Sequence, residues 1–290
     1  MSRLWLRAAA LVLAGLPLLS FGANQPIRIV AAENFYGDIA QQLGGTHVRV
    51  TSILSKPDQD PHLFEASVST AKAMSGAQLV VYNGIDYDPW MDKLLAAARA
   101  PGRKAIVAGQ LLGRKTGDNP HLWYDPATMP AVARAISAQL DIIDPANRAD
   151  YSRRLRTVLA SLKPMQDKIR EIRARYAGAP VTATEPVFGY MAEALGLSMR
   201  NTGFQLAVMN DTEPSAAQMA AFENDLANAR VKILFYNSQV VDQAAERARR
   251  LAQQHHVAVV GVTETQPAGK NYQDWMMAEL VATEHALSDK

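Results

Sequence analysis

Residues 146–176 read ANRADYSRRLRTVLASLKPMQDKIREIRARY. The stretch has no strand signal, is rich in Arg, Lys, Leu and Ala, and is closed by Gly178. It reads as one helix of about 31 residues, about 46 Å long at 1.5 Å per residue. Pro164 is the expected point of any kink, because proline removes a helical hydrogen bond. On both sides of this helix the chain alternates short apolar runs with helical patterns. Before it, the expected strands are Ile27 to Ala32, His47 to Leu54, Leu79 to Tyr82 and Lys104 to Ala108. Helices are expected over Phe35 to Leu43, Ser67 to Ser75, Asp88 to Arg99, with Asp88 as N-cap, and Pro126 to Leu140. After it, strands are expected at Val181 to Thr184, Leu197 to Thr202, Ile233 to Tyr236 and Val257 to Thr263. The helices there are Val187 to Leu195, Ser215 to Ala227, Val240 to Gln254 and Tyr272 to Leu287. The fold class is therefore α/β: two (β/α) lobes, each a mostly parallel sheet covered by helices, joined by one long backbone helix.

The domain boundaries follow from the same reading. Residues 1–22 form a signal peptide, 23–145 the N-terminal lobe, 146–177 the linking helix and 178–290 the C-terminal lobe. Arg3 and Arg7 begin the leader, and Ala8 to Leu19 is its apolar core, too short and too broken by Gly15 and Pro17 for a good membrane span. Cleavage after Gly22 places Ser20 at −3 and Gly22 at −1. The precursor has 30 basic and 28 acidic residues; loss of Arg3 and Arg7 leaves 28 of each, a formal charge of zero. Such a surface offers no electrostatic case for nucleic acid. The absence of cysteine excludes disulfides, thiolate metal sites, iron–sulfur clusters, a Cys nucleophile and a lipid-modified N-terminal Cys. Export without cysteine points to a bacterial periplasm.

Ligands of open α/β sheets bind beyond the carboxyl ends of the strands. Four such ends here carry good donors for a divalent first-row metal. Asp60-Pro61-His62 follows the second strand and Asn119-Pro120-His121 follows the fourth. Glu185-Pro186 follows the first strand of the second half, and Glu264 follows the last. Two imidazoles and two carboxylates, two from each half, are expected to converge on the cleft between the lobes. Asp60 and Asn119 are candidates to orient the loops or rings. Each residue alone has an ordinary reading as a cap or exposed loop group; the case rests on four at equivalent places in the fold. His47, His255, His256 and His285 fall within or at the ends of expected elements and are read as structural or exposed. Trp90, Trp123 and Trp275 are read as core or cleft packing.

At these residues the sequence resembles the metal-binding solute-binding proteins of zinc and manganese ABC importers, the cluster A-I, TroA-like group. The resemblance runs over essentially the whole mature chain. It is carried by AAENFYGDIAQQLGG (31–45), DQDPHLFEASVSTAKAMSGAQLVVYNG (58–84), NPHLWYDPATMPAVARAI (119–136), TEPVFGYMAEALGL (184–197) and VTETQPAGKNYQDWM (262–276). It implies metal ligands at His62, His121, Glu185 and Glu264, a membrane ABC permease as partner, a monomer, and Zn²⁺ or Mn²⁺, with Fe²⁺ a further candidate, as transported ligand. Glu264 stands where the family usually has Asp, and Asn237 stands where it often has an acid. The long His-rich loop of many zinc members is absent: the connection 111–118 reads LLGRKTGD.

Two His and two carboxylates suit Zn²⁺, Mn²⁺ or Fe²⁺ and not Cu(I). Single-oxygen binding by both Glu makes a four-coordinate site that Zn²⁺ accepts, whereas a bidentate Glu raises the number toward what Mn²⁺ tolerates. The residues leave zinc and manganese open. The alternative reading is an exported zinc-dependent hydrolase, with two His and one Glu on the metal and the other Glu as general base. Against it, the chain has neither His-Glu-x-x-His nor Gly-x-Ser-x-Gly.

Overall fold

The structure is a computed structural model that describes residues 25–56, 64, 67–239 and 243–288. The expected signal peptide and the loop carrying Asp60 and His62 lie outside the described residues. The first sheet comprises β1 (Ile27–Glu33), β2 (Val48–Leu54), β3 (Leu79–Tyr82) and β4 (Lys104–Val107), in the order β2-β1-β3-β4. The second comprises β5 (Pro180–Ala183), β6 (Ser198–Met199), β7 (Ile233–Asn237) and β8 (Ala258–Val262), in the order β6-β5-β7-β8. All pairings are parallel, and the two sheets share one topology. In each, the strand order reverses between the first and third strand of the lobe, which opens a crevice at the carboxyl ends.

The helices of the first lobe are α1 (Asn34–Gly44), α2 (Val68–Gly76), α3 (Trp90–Ala97), α4 (Ala108–Leu111) and α5 (Thr128–Ile143). The linking region is α6 (Arg148–Ser161) and α7 (Lys163–Tyr176). The second lobe has α8 (Gly189–Ala194), α9 (Thr202–Met209), α10 (Ala216–Ala227), α11 (Gln243–Gln254) and α12 (Tyr272–Ser288). Central strands are mainly apolar because both faces are covered: in β1 every residue except Arg28 is buried. The buried positions of α5, Met129, Val132, Ala133, Ile136 and Leu140, recur at helical spacing and set that face on the sheet. Ser215 closes the start of α10 with a reciprocal capping box to Gln218. Where α1 ends, Gly44 lets the helix close onto β2; a Cβ there would stand 2.2 Å from Val48 Cγ1.

The long helix is bent beside Pro164 as expected, in two segments that meet at Leu162, and two other expectations are corrected. Pro164 has no N–H to offer the carbonyl of Ala160, which frees the turn to break there. Asp88 does not cap α3. Its carboxylate turns back to accept from the backbone N–H of Asn83 and of Gly84, both at 2.7 Å, and so closes the loop after β3. The expected strand Leu197 to Thr202 is reduced to two residues, after which Asn201, at φ 59°, turns the chain into α9.

The two segments of the linking region attach to different lobes. The segment α6 packs on α1 and α5, and α7 packs on α12, where Arg175 pairs with Glu284 at 2.9 Å. One buried core runs through both lobes. Phe35 on α1 stacks near Trp123, 4.8 Å between ring centroids, and near Trp275 of α12 at 6.0 Å. Tyr124 continues the chain of rings to Phe188 at 5.3 Å, and Phe188 lies on Phe235 at 4.5 Å. All six rings are buried.

Candidate metal site

His121 leads into a single turn of 3-10 helix at Leu122–Tyr124, in the long connection that follows β4. Its loop is held from three sides. The Asn83 Nδ2 donates to the carbonyl of Pro120 at 2.8 Å. The Tyr190 hydroxyl donates to the carbonyl of Asn119 at 2.8 Å, and Asn119 Nδ2 donates to the carbonyl of Pro186, also at 2.8 Å. That last bond fixes which end of the Asn119 amide is oxygen. Asn119 Oδ1 then faces the His121 ring, 2.6 Å from Nδ1, and accepts from the His121 backbone N–H at 3.1 Å. An amide oxygen only accepts, so Nδ1 carries a proton, and a neutral imidazole here has its lone pair on Nε2. This is the tautomer that a metal-binding imidazole needs, set by a partner on its other nitrogen.

The lone pair points across the lobe boundary. His121 Nε2 lies 3.8 Å from Glu264 Oε2, and both side chains are almost fully buried. Two donors each about 2.0–2.1 Å from a tetrahedral metal stand about 3.3 Å apart, so a small adjustment brings both onto one ion. Glu264 sits two residues past the end of β8. Asn237, the last residue of β7, donates from Nδ2 to Glu264 Oε1 at 2.6 Å. Gln239 accepts through Oε1 from the backbone N–H groups of Glu264 and Thr265. Tyr124 donates to the carbonyl of Thr263 at 2.8 Å, so the strand end that carries Glu264 is tied to the loop that carries His121.

Of the four expected ligands, the structure brings His121 and Glu264 together. Glu185 is half-buried and immediately precedes Pro186, whose carbonyl holds Asn119. Among the described residues, no three His, Asp or Glu side chains gather closely enough to hold a metal. His62 lies outside the described residues.

Several residues at the site were not singled out as ligands or supports from sequence. Tyr87 is fully buried with its ring centroid 6.1 Å from that of His121. Burial, and then the Glu264 and Glu33 carboxylates, hold its hydroxyl well above the usual tyrosine range, so it stays neutral. Two carboxyls that act on Tyr87, Glu33 and Asp88, form a pair of their own. Burial, reinforced by Asp88, raises Glu33 well above the usual range, and burial raises Asp88 to about 6 against the pull of its two backbone donors. Two carboxyls this close in an apolar place do not both ionise at neutral pH. Their position at strand ends was the available signal: Glu33 closes β1 much as Glu185 follows β5. Asn237 and Gln239 follow the same rule at the end of β7.

Contacts between the lobes surround the site. Asn34 and Gln266 exchange a pair of bonds: Asn34 Nδ2 donates to the carbonyl of Gln266 at 2.7 Å, and the Gln266 N–H donates to Asn34 Oδ1 at 3.0 Å. The Tyr272 hydroxyl donates to the carbonyl of Trp123 at 2.7 Å. No helix among the described residues is long and apolar enough to cross a membrane.

Known proteins resemble the chain over most of its length. Residues 29–286 match the family described as zinc-uptake complex component A, periplasmic. The chain is 26% identical over 238 residues to the manganese ABC transporter substrate-binding lipoprotein PsaA of Streptococcus mitis, covering 76% of this chain and 75% of that protein. It is 26% identical over 236 residues to the manganese-binding lipoprotein MntA of Bacillus subtilis strain 168, covering 77% and 74%. In fold it is similar to the periplasmic zinc binding protein TroA of Treponema pallidum, with a TM-score of 0.77 at 18% identity over 91% of this chain and 100% of that one. With the match running through both lobes and the helix between them, the chain belongs to the family of the periplasmic zinc-uptake complex component A.

Proposed function

We propose that this protein captures a divalent transition metal, Zn²⁺ or Mn²⁺, in the periplasm and delivers it to a membrane ABC permease. The ligands are His62, His121, Glu185 and Glu264. The observation that carries the reading is the buried His121–Glu264 pair, one donor from each lobe, with the imidazole Nε2 turned toward the carboxylate. Family membership supports the same role, and relatives named for manganese and for zinc leave both metals in play. The protein needs no catalytic step for this task. Four ligands saturate a zinc ion and leave no position for a reactive water. The chain acts as a monomer, exported by residues 1–22. Relatives named as lipoproteins carry a lipid; this sequence has no cysteine to receive one by thioether linkage.

Its own residues prepare the site. Asn119 sets the tautomer of His121, Asn237 and Gln239 hold Glu264, and the dense hydrogen bonds between lobes oppose wide opening. The metal enters as cargo and is held by neutral imidazole and ionised carboxylate, so binding weakens as the site is protonated.

The test is metal content by mass spectrometry of mature protein purified from periplasm without added metal or chelator, beside His121→Ala and Glu264→Ala. About one metal per chain, lost in both variants while the circular dichroism is retained, is the expected result. Undiminished affinity in both variants, measured by competition with a chelator, would refute the site.

A further inference from the structure

We infer that Asn237 is a specificity-determining residue: it occupies Glu264 Oε1 and so restricts Glu264 to one oxygen toward the metal, which biases the site to zinc. This inference rests on the four-ligand reading above and asks how one of those ligands binds.

The orientation of the Asn237 amide is decided by its two bonds. Its Oδ1 accepts from the backbone N–H of Gln239 at 3.1 Å, which leaves Nδ2 facing Glu264 Oε1 at 2.6 Å. Asn237 is 2% exposed, so no water replaces that donor-acceptor pair at low cost. The bond to an ionised carboxylate is of the strong, charge-assisted kind. Glu264 is also fixed from its main chain, because Gln239 Oε1 accepts its N–H, while Gln239 Nε2 is itself anchored to Thr265 Oγ1 at 2.6 Å. With the main chain and Oε1 both held, rotation of the carboxylate toward a bidentate grip would strand a buried amide donor. Oε2 is the oxygen that faces His121 Nε2.

One oxygen from Glu264, two imidazoles and Glu185 supply four or five donor atoms. Zn²⁺ accepts four-coordination readily. Mn²⁺ prefers a fuller oxygen-rich shell and loses more when one oxygen is withheld. An acid at position 237 could not donate to Glu264 in its ionised form, so Asn is the residue type that does this work.

The experiment measures Zn²⁺ and Mn²⁺ affinities by chelator competition for the mature protein, Asn237→Ala and His121→Ala. In Asn237→Ala the preference for zinc over manganese is expected to fall by about tenfold or more, the scale on which second-layer partners of a metal tune its binding. An unchanged preference in Asn237→Ala, while His121→Ala loses both metals, overturns the inference and leaves the site standing. Retained binding in His121→Ala instead removes the site itself. A crystal structure of the unaltered protein loaded with Zn²⁺ tests the point without any substitution. Oε2 at about 2.0–2.2 Å from the metal, with Oε1 still on Asn237, supports it; both oxygens at bonding distance overturn it.

Discussion

Glu279→Gln is expected to stabilise the protein at alkaline pH and to do little in acid. Glu279 lies on α12 with its carboxyl in the core between the lobes, where Trp275 Nε1 donates to Oε1 at 2.7 Å. Burial pushes its pKa from 4.5 up to about 8, held back by the Tyr124 hydroxyl and the Trp275 indole. Below the unfolded value both states hold the proton, and the group costs nothing extra. Between 4.5 and about 8 the unfolded chain releases the proton and the folded chain keeps it, so stability falls as pH rises. The slope is about 1.4 kcal/mol per pH unit, and over this window the loss reaches about 5 kcal/mol. Above it both states are ionised and the slope vanishes. Glutamine keeps an oxygen for the Trp275 indole and has no proton to lose. The assay is urea unfolding followed by far-ultraviolet circular dichroism from about pH 4 to about pH 9, with chelator present so that metal binding does not enter. The stability difference between Glu279→Gln and the unaltered protein should grow through the neutral range and level off near pH 8. A difference that stays constant across that range would refute the reasoning, because it would place the carboxyl in contact with water or with an unrecognised cation.

Two further outcomes follow from the same packing. Phe35→Ala removes the ring that joins Trp123 to Trp275 in the core shared by the lobes, and should cost about 3–5 kcal/mol in urea unfolding. Zn²⁺ at about a hundredfold over its dissociation constant should raise the unfolding free energy by about 2.7 kcal/mol, and this gain should be absent in His121→Ala.

Much of the architecture was legible because parallel strands covered on both faces are written as short apolar runs. Leu79 to Tyr82 is found as read, and β1, β4, β5, β7 and β8 lie within a residue or two of their expected bounds. The helix between the lobes was legible from thirty-odd residues without a strand signal, and its bend from Pro164. The expected start of α10 at Ser215 falls one residue before the observed one, where Ser215 forms a capping box with Gln218. The short α9 was missed: its apolar residues Phe204, Leu206, Val208 and Met209 follow a two-residue strand directly, with no cap to mark the boundary except the left-handed turn at Asn201. Asp88 was assigned to the wrong partner, since a carboxylate before Pro89 is an ordinary N-cap in sequence and only the closed loop shows it serving Asn83 and Gly84.

The sequence by itself determined the two lobes, the helix between them and the strand ends where donors would lie, because those features depend on periodicity and local backbone preference. Only the tertiary structure decided the partners. Glu264 meets His121 from 143 positions away in the chain, Asn237 reaches it from the neighbouring strand, and Glu279 is buried under Tyr124 of the other lobe. Such pairs depend on which strands are neighbours and how two sheets face each other. That choice follows from packing one shared core, and no local pattern of residues encodes it.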